Sequence, residues 1–583
     1  MKQYESKNKR NLSHHPRVRR PSLFTASRIL SSLEWLLLVC PFLFGCFFPW
    51  ASALVSLVLI TLLLFLIQRG LLCRTYSAPF LTAASIVIFH LGGIFWGTDH
   101  GMALIGAVHF LPLPLLILLI EQYTPEQRLD LLKKMPYTAS AMVVLSFILS
   151  RIPLLEGWFL VAERQAGFFQ YPNTYAIYLL SALVLVLFGS PLRFGQLPWL
   201  IPLTLGILLS GSRIVFFLLL VVFLVFFFTE KSRLSRLTVL IVAVPALLGS
   251  ILYVLLTGSR ESIGRFLTSS LTASEFVGRL LYARDAIPVI LRHPLGLGYT
   301  GYRWLQGSFQ TGVYSVQHVH NELLQLLLDV GWIPAGLFLW ALWRSLRSPE
   351  GGLCRKLLLI VFLFHCLLDF DTQFISVALL LFLVLDTEPK AEAPFHSRLI
   401  APVSLTILAV LSLWIGSASF LYYVRKPASA LRIYPAYTAA LVDLLPDASG
   451  QELESLADRV LQLNQSIALA HDARAEVDSY DGNFSGMCSH KQEAIRLSRY
   501  NLAEYLDYFD LLRYSRDLYL QAGDTVSAGR CMALIQEIPV ILEAADAQTS
   551  SLGRMIHDQP NLILPPPYIS WMEKHAPRIV SNS

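Results

Sequence analysis

The string His318-Val319-His320-Asn321-Glu322 opens an apolar stretch that runs to Trp340. It also closes a hydrophilic segment, residues 257–320, in a chain that otherwise reads as one hydrophobic run after another. That segment carries Arg260, Arg265, Arg279, Arg284, Arg292 and Arg303 against Glu261, Glu275 and Asp285, and it holds no lysine. Guanidinium forks grip phosphate oxygens two at a time, where an ammonium offers only a point charge. Asn321 has the residue type and position to cap the helix that continues through Leu323, Leu324 and Leu327. His320 then stands at the positive end of that helix, where free backbone N–H groups and the dipole favour an anion. The same field, with any nearby arginine, disfavours the imidazolium, and a neutral imidazole is what a general base needs near pH 7. The chemistry these types would do together is base catalysis beside a bound anion at a membrane surface. By residue type alone, the commoner role of such a histidine is an interfacial side chain satisfied by water and backbone. His318 would be a second metal ligand only with a carboxylate or thiolate partner at ligand spacing; none is present, so no metal and no cofactor is expected.

Two further arginines could join it. Arg213 follows the turn Ser210-Gly211-Ser212 and opens the apolar run Ile214–Phe228. It is either a side chain snorkelling to headgroups or a phosphate clamp, with Gly211 permitting close backbone approach. Arg279, in Gly278-Arg279-Leu280-Leu281-Tyr282, falls on a short helix before Pro288 and is either a solvated loop charge or a second clamp. The string Pro294-Leu295-Gly296-Leu297-Gly298-Tyr299 has no strand before it, so it is a tight surface or re-entrant turn rather than a dinucleotide fingerprint. Asp329, His365, Asp369 and Asp371 are costly in lipid and are expected to face the bundle or a wet cavity.

The elements that must position these residues are membrane helices. Of 583 residues, 55% are hydrophobic and 15% charged, with a mean hydropathy of +0.55, against roughly 25% charged in a soluble domain. Repeated apolar runs approach the ~20 residues needed to cross a bilayer, and continuous runs exclude the alternating strands of a barrel. The expected fold is therefore all-α and polytopic, with about 12–13 transmembrane helices. Spans fall near 30–49, 52–68, 80–96, 102–120, 137–150, 174–190, 195–210, 213–229, 236–256, 322–343, 356–370, 373–387 and 398–424. With the basic tail 1–29 in the cytoplasm, the clusters Arg128/Lys133/Lys134, Lys231/Arg233/Arg236 and Arg344/Arg347/Arg355/Lys356 all lie inside. Residues 151–173, the 210–213 turn and the 257–320 loop then lie outside. Residues 425–583 form a soluble helical extracytoplasmic domain, with helices expected over Gln451–Ala470, Lys491–Leu512 and Ser527–Ala547 and breaks at Pro446, Asp481–Asn483 and Gln521–Asp524. Tetratricopeptide-like hairpins fit this pattern, although a period of about 34 residues is not evident. Cys488 and Cys531 could pair in an oxidising compartment.

In order along the chain stand Arg164-Gln165-Ala166-Gly167 with Tyr171-Pro172-Asn173, then Ser210-Gly211-Ser212-Arg213, then Gly278-Arg279 with Pro294–Gly298, and finally His320-Asn321 with Gly331. By this ordered set the chain resembles, over roughly residues 30–390, the O-antigen ligase and polymerase superfamily of bacterial surface-polysaccharide enzymes. Tyr282 stands where that family commonly has tryptophan, and Pro334 departs from the ligase subgroup. The resemblance implies a GT-C-like, metal-independent, inverting glycosyltransferase at the outer face of the bacterial cytoplasmic membrane. It implies a glycan on undecaprenyl pyrophosphate as donor, and a hydroxyl of lipid A core, growing polysaccharide or protein as acceptor. By the same resemblance Arg213 and Arg279 bind the pyrophosphate, Arg164 helps position the donor, His320 is the base and Asn321 the helix cap. Membrane lipids are the surroundings, and no nucleic-acid partner is implied. The alternative is a transporter or flippase of the same lipid-linked sugar; such proteins commonly show two-half internal repeats, which are not evident here.

Overall fold

The computed structural model describes residues 23–69, 72–74, 77–189, 197–237, 239–241, 244–245, 248, 274–349, 352–387, 393–394 and 400–575. Most of the span expected at 236–256, the basic tail to residue 22, and Arg260 and Arg265 lie outside them. The described chain is helical apart from two pairs of two-residue strands, Cys73–Arg74 with Ala393–Pro394 and Leu160–Val161 with Arg164–Gln165. The protein is an all-α polytopic membrane protein. Pro49–Gln68, Ala78–Trp96, Ala103–Ile120 and Ile400–Tyr423 are each long and apolar enough to cross a bilayer. The shorter helices Met135–Leu149, Pro172–Phe188, Leu197–Leu209, Arg213–Thr229, Gly352–Cys366 and Ile375–Val384 follow the remaining apolar runs.

Local chemistry sets the helix starts. Pro49 and Pro172 occupy first-turn positions, where a missing N–H costs nothing. Ser77 accepts from Phe80 N at 3.2 Å, and Thr124 with Gln127 completes a reciprocal capping box. Pro172–Phe188 and Ile375–Val384 are buried on nearly every side, which explains why their runs are apolar all round rather than striped.

The span expected at 322–343 is not one helix. It is Glu322–Val330 and Trp332–Arg347, broken at Gly331, whose φ is 77°. The turn Pro294–Gly298 docks into the break: Gly298 N donates to Asp329 O at 3.0 Å and Trp332 N donates to Pro294 O at 3.0 Å. The exposed ladder groups of the break and of the turn thus satisfy each other. A Cβ at Gly331 would stand 2.2 Å from Pro294 O. Gly331→Val is therefore expected to destabilise the protein by about 3 kcal/mol or more, combining backbone strain with the clash. A thermal-unfolding midpoint within a degree of wild type would contradict this account of the break.

Residues 427–575 form paired helices: Gly450–Leu463 with Ala468–Tyr480, then Phe484–Leu497, and Leu502–Gln521 with Thr525–Ala547. Two of the expected helices divide. Gln451–Ala470 breaks at Asn464, and Lys491–Leu512 breaks before Asn501, whose side chain accepts from Ala503 N at 3.3 Å. Both asparagines adopt extended backbone there, and the periodic apolar pattern runs through them unchanged. Thr525–Ala547 has the length and hydropathy of a span, but Ile535, Ile538 and Leu542 pack into a core with Tyr505, Phe509 and Leu512. Cys488 and Cys531 are free thiols. This helical array docks on the loop after Ala78–Trp96. Asp99 accepts from Thr438 Oγ1 at 2.7 Å and Asn464 Nδ2 at 3.2 Å, and Tyr434 donates to Gly101 O at 2.9 Å.

Candidate functional site

One cavity of ≈ 460 Å³ is lined by Arg164, Arg213, Arg279 and His320, together with Tyr171, Asn173, Ser212, Glu275 and Tyr282. All four residues singled out for chemistry in the sequence thus face the same space, although they come from four separate segments. Asn321, the fifth, caps the helix Glu322–Val330. Its Oδ1 accepts from Leu324 N at 3.0 Å, and its Nδ2 donates to Leu367 O at 2.9 Å, tying the cap to the loop after Gly352–Cys366.

That loop contributes Asp369, the residue around which the site is organised. Its side chain is fully buried and accepts from Tyr171 Oη and from Asn173 Nδ2, each at 2.8 Å. Arg279 Nη2 stands 3.5 Å from its second oxygen, and His320 Nδ1 stands 3.5 Å from its first. The His320 contact is an ion-pair distance whose alignment falls short of a hydrogen bond, so Nδ1 is buried without a hydrogen-bonded partner among the described residues. Burial opposes charge on Asp369, but His320, Arg279 and His365 outweigh it and hold the carboxyl well below the usual carboxylate range. Asp369 is therefore an anion at neutral pH, compensated by the groups it orients.

Arg164 and Arg213 are placed differently. Arg164 Nε donates to Ser210 O at 2.8 Å and its Nη2 to Asn173 Oδ1 at 2.7 Å. It thereby joins the Ser210–Ser212 turn to Asn173 and, through Asn173, to Asp369. Gly211, with φ 62°, gives the turn its close approach, but the group it approaches is the Arg164 side chain, 3.3 Å from where a Cβ would stand. Arg213 is the first residue of its helix and pairs with Glu275 at 2.6 Å, the glutamate half exposed. Exposed pairs of this kind are worth at most ~1 kcal/mol, so an anion entering the cavity can displace Glu275 from Arg213 at small cost. Glu275→Gln is expected to tighten binding of inorganic pyrophosphate about two- to fivefold by removing a competing carboxylate. Unchanged or weaker binding in a titration at fixed ionic strength would contradict it.

His320 holds a left-handed backbone, φ 54°, which few non-glycine residues adopt. The ring is set against Phe370 at 5.1 Å and Tyr282 at 6.1 Å between centroids. With Nδ1 turned to Asp369, Nε2 is the nitrogen available to a substrate. His318 also packs against Phe370, its ring 4.6 Å from the phenyl. Burial, His320 and His109 push its pKa down to about 3, so it packs as a neutral ring. The sequence marks Asp369 as an acid expected to face the bundle or a wet cavity, but nothing in the spacing relates it to His320 or Arg279. Tyr171 and Asn173 carry the motif, and only the fold gives them a function. The positive surroundings expected to govern His320 likewise lacked this carboxylate.

The protein is thus a polytopic helical membrane protein whose arginine-lined cavity also holds a histidine at a capped helix start. Residues 199–341 match the family model described as O-antigen ligase. The matched stretch contains Gly211, Arg213, Arg279, His320 and Asn321, whereas Arg164, Tyr171, Asn173 and Asp369 lie outside it. No curated protein and no solved structure matches the chain.

Proposed function

We propose that the protein transfers a glycan from an undecaprenyl-pyrophosphate-linked donor to an acceptor hydroxyl at the outer face of the cytoplasmic membrane. The observation that carries this reading is the convergence of Arg213, Arg279 and His320 on one cavity, with His320 Nδ1 facing the Asp369 carboxylate. The diphosphate occupies the space between Arg213 and Arg279, where two guanidinium groups balance the charge that develops on the leaving oxygen. Arg164, already committed to Ser210 and Asn173, acts as a positioning residue that holds the cavity floor.

The Asp369 carboxylate, 3.5 Å from Nδ1, favours the Nδ1–H tautomer of His320 by its charge, and Nε2 takes the proton of the acceptor hydroxyl as its oxygen attacks the anomeric carbon. The bond from that carbon to the phosphate oxygen breaks, its electron pair leaves with undecaprenyl pyrophosphate, and attack opposite the leaving group inverts the anomeric centre. Because the diphosphate is already a good leaving group, two positive side chains and one base supply the catalysis, and the reaction needs no metal. On this reading residues 425–575 lie on the extracytoplasmic side of the membrane, the side of the cavity. A transporter of the same lipid would also bind the diphosphate, but it would have no use for a base held by a buried carboxylate.

The test is single-turnover transfer by purified protein supplied with a lipid-pyrophosphate glycan and an acceptor. The proposal expects one undecaprenyl pyrophosphate released per glycosidic bond formed, with the product inverted at the anomeric carbon. Movement of intact donor across a vesicle without bond formation would favour the transporter instead.

A further inference from the structure

We propose that the C-terminal segment Ser550–Ile556 is a positioning element of this site: it clamps the helix that carries Arg279 to the loop that carries His320. The proposal rests on reading the cavity as the transfer site.

The Arg279 helix and the His320 loop meet through Asp285, six residues beyond Arg279 on the helix Ser274–Arg292. Asp285 accepts from Thr311 N at 2.8 Å, Thr311 Oγ1 at 2.7 Å and Tyr314 Oη at 3.0 Å, all on the loop that leads to His320. The C-terminal segment closes the third side. Ser550 N donates to Thr311 O at 2.9 Å, and Ser550 Oγ lies 3.0 Å from Thr311 Oγ1. A hydroxyl has one hydrogen; Thr311 gives its own to the Asp285 carboxylate, and the Ser550 hydroxyl donates to Thr311 O at 3.2 Å. Asp285, Thr311 and Ser550 therefore form one continuous chain from the arginine helix to the C-terminal domain.

Apolar packing runs alongside. Ile556 joins Val277, Leu281 and Tyr314 in a buried cluster, with Leu552 and Tyr282 at its edge. Val277 and Leu281 are four residues apart and share one helix face, which leaves Arg279 on the opposite face, toward the cavity. The seam admits no side chain. A Cβ at Gly312 would meet Gly553 Cα at 2.8 Å, and one at Gly553 would meet Thr311 O at 2.2 Å. A linker tail lying loosely on a finished site would bury neither Ile556 nor the Asp285 network.

The test uses full-length protein in lipid, with Thr311→Val, Thr311→Ser and Ile556→Asp. It follows amide hydrogen exchange in residues 275–285 and 311–321, together with kcat and donor KM for transfer. Thr311→Val is expected to raise exchange in both peptides threefold or more and lower kcat by a similar factor; Thr311→Ser, which keeps the hydroxyl, stays near wild type. Ile556→Asp is expected to do both by tenfold or more, with donor KM changing less than kcat. Unchanged exchange in Thr311→Val and Ile556→Asp overturns the clamp, and so does raised exchange with wild-type kcat. Should Ile556→Asp also unfold helices 450–545, Thr311→Val decides, since it lies outside them. If wild-type protein transfers no glycan, the functional reading fails and the exchange data alone decide the clamp.

Discussion

Replacing His320 is expected to lower glycan transfer by about 10²–10⁴-fold, the range general-base removal commonly produces, while donor KM changes only a few fold. The side chain is 21% exposed, and its polar contact among the described residues is the 3.5 Å approach to Asp369, so little folding energy depends on it. The left-handed backbone complicates alanine, which must hold φ 54° without a side chain suited to it. Asparagine tolerates that region, so His320→Asn separates chemistry from strain, with both variants expected to lose transfer and His320→Asn to keep a wild-type melting temperature. Initial rates of undecaprenyl pyrophosphate release give the comparison. A His320→Asn protein within threefold of wild-type kcat would remove the histidine from the mechanism.

Asp369→Ala is expected to be more damaging, because it harms the fold and the site together. It leaves Arg279, Tyr171 Oη and Asn173 Nδ2 without their acceptor in a buried setting, and breaking a buried charge pair from one side costs about 3–5 kcal/mol. Asp369→Asn keeps the shape but loses the charge that faces His320 Nδ1 and Arg279. Its transfer rate should fall at least about 10²-fold with a smaller stability loss, since a wrongly supported imidazole forfeits most of the base's effect. The carboxyl's pKa is lower in the folded protein than in the unfolded chain, so its contribution to stability is complete above the unfolded value near 4. That contribution drains away only as the pH falls through the lower folded value. Wild type should therefore show no Asp369-linked loss of stability between pH 5 and 8. Asp369→Asn should abolish the linked loss below pH 4, and thermal midpoints across that range would reveal either failure.

Much of this was legible in the sequence because membrane helices announce themselves locally. The apolar runs expected from residues 52, 80 and 174 became helices that start at Pro49, Ala78 and Pro172, and Asn321 caps the helix it was expected to cap. The ordered motifs likewise marked Arg164, Arg213, Arg279 and His320, which meet around one cavity. Hydropathy could not report the break at Gly331, since the apolar pattern continues through it; the break exists because the Pro294–Gly298 turn supplies the missing hydrogen bonds. Asp369 was hidden for a related reason. A buried acid owes its meaning to the partners around it, and Tyr171, Asn173, Arg279 and His320 all reach it from distant parts of the chain. The Ser550–Thr311–Asp285 chain is likewise invisible without the fold, since serine and threonine in loops carry no periodic signal.

The central claim is that one cavity holds the diphosphate and the base that together transfer a glycan. The most direct measurement is the surface-glycan profile of a strain lacking the gene and complemented with Arg213→Ala, Arg279→Ala or His320→Ala at equal membrane abundance. The account predicts that Arg279→Ala and His320→Ala fail to restore mature glycan, that Arg213→Ala restores it poorly, and that undecaprenyl-linked donor accumulates in all three. Mature, full-length glycan at wild-type level in all three strains would contradict it.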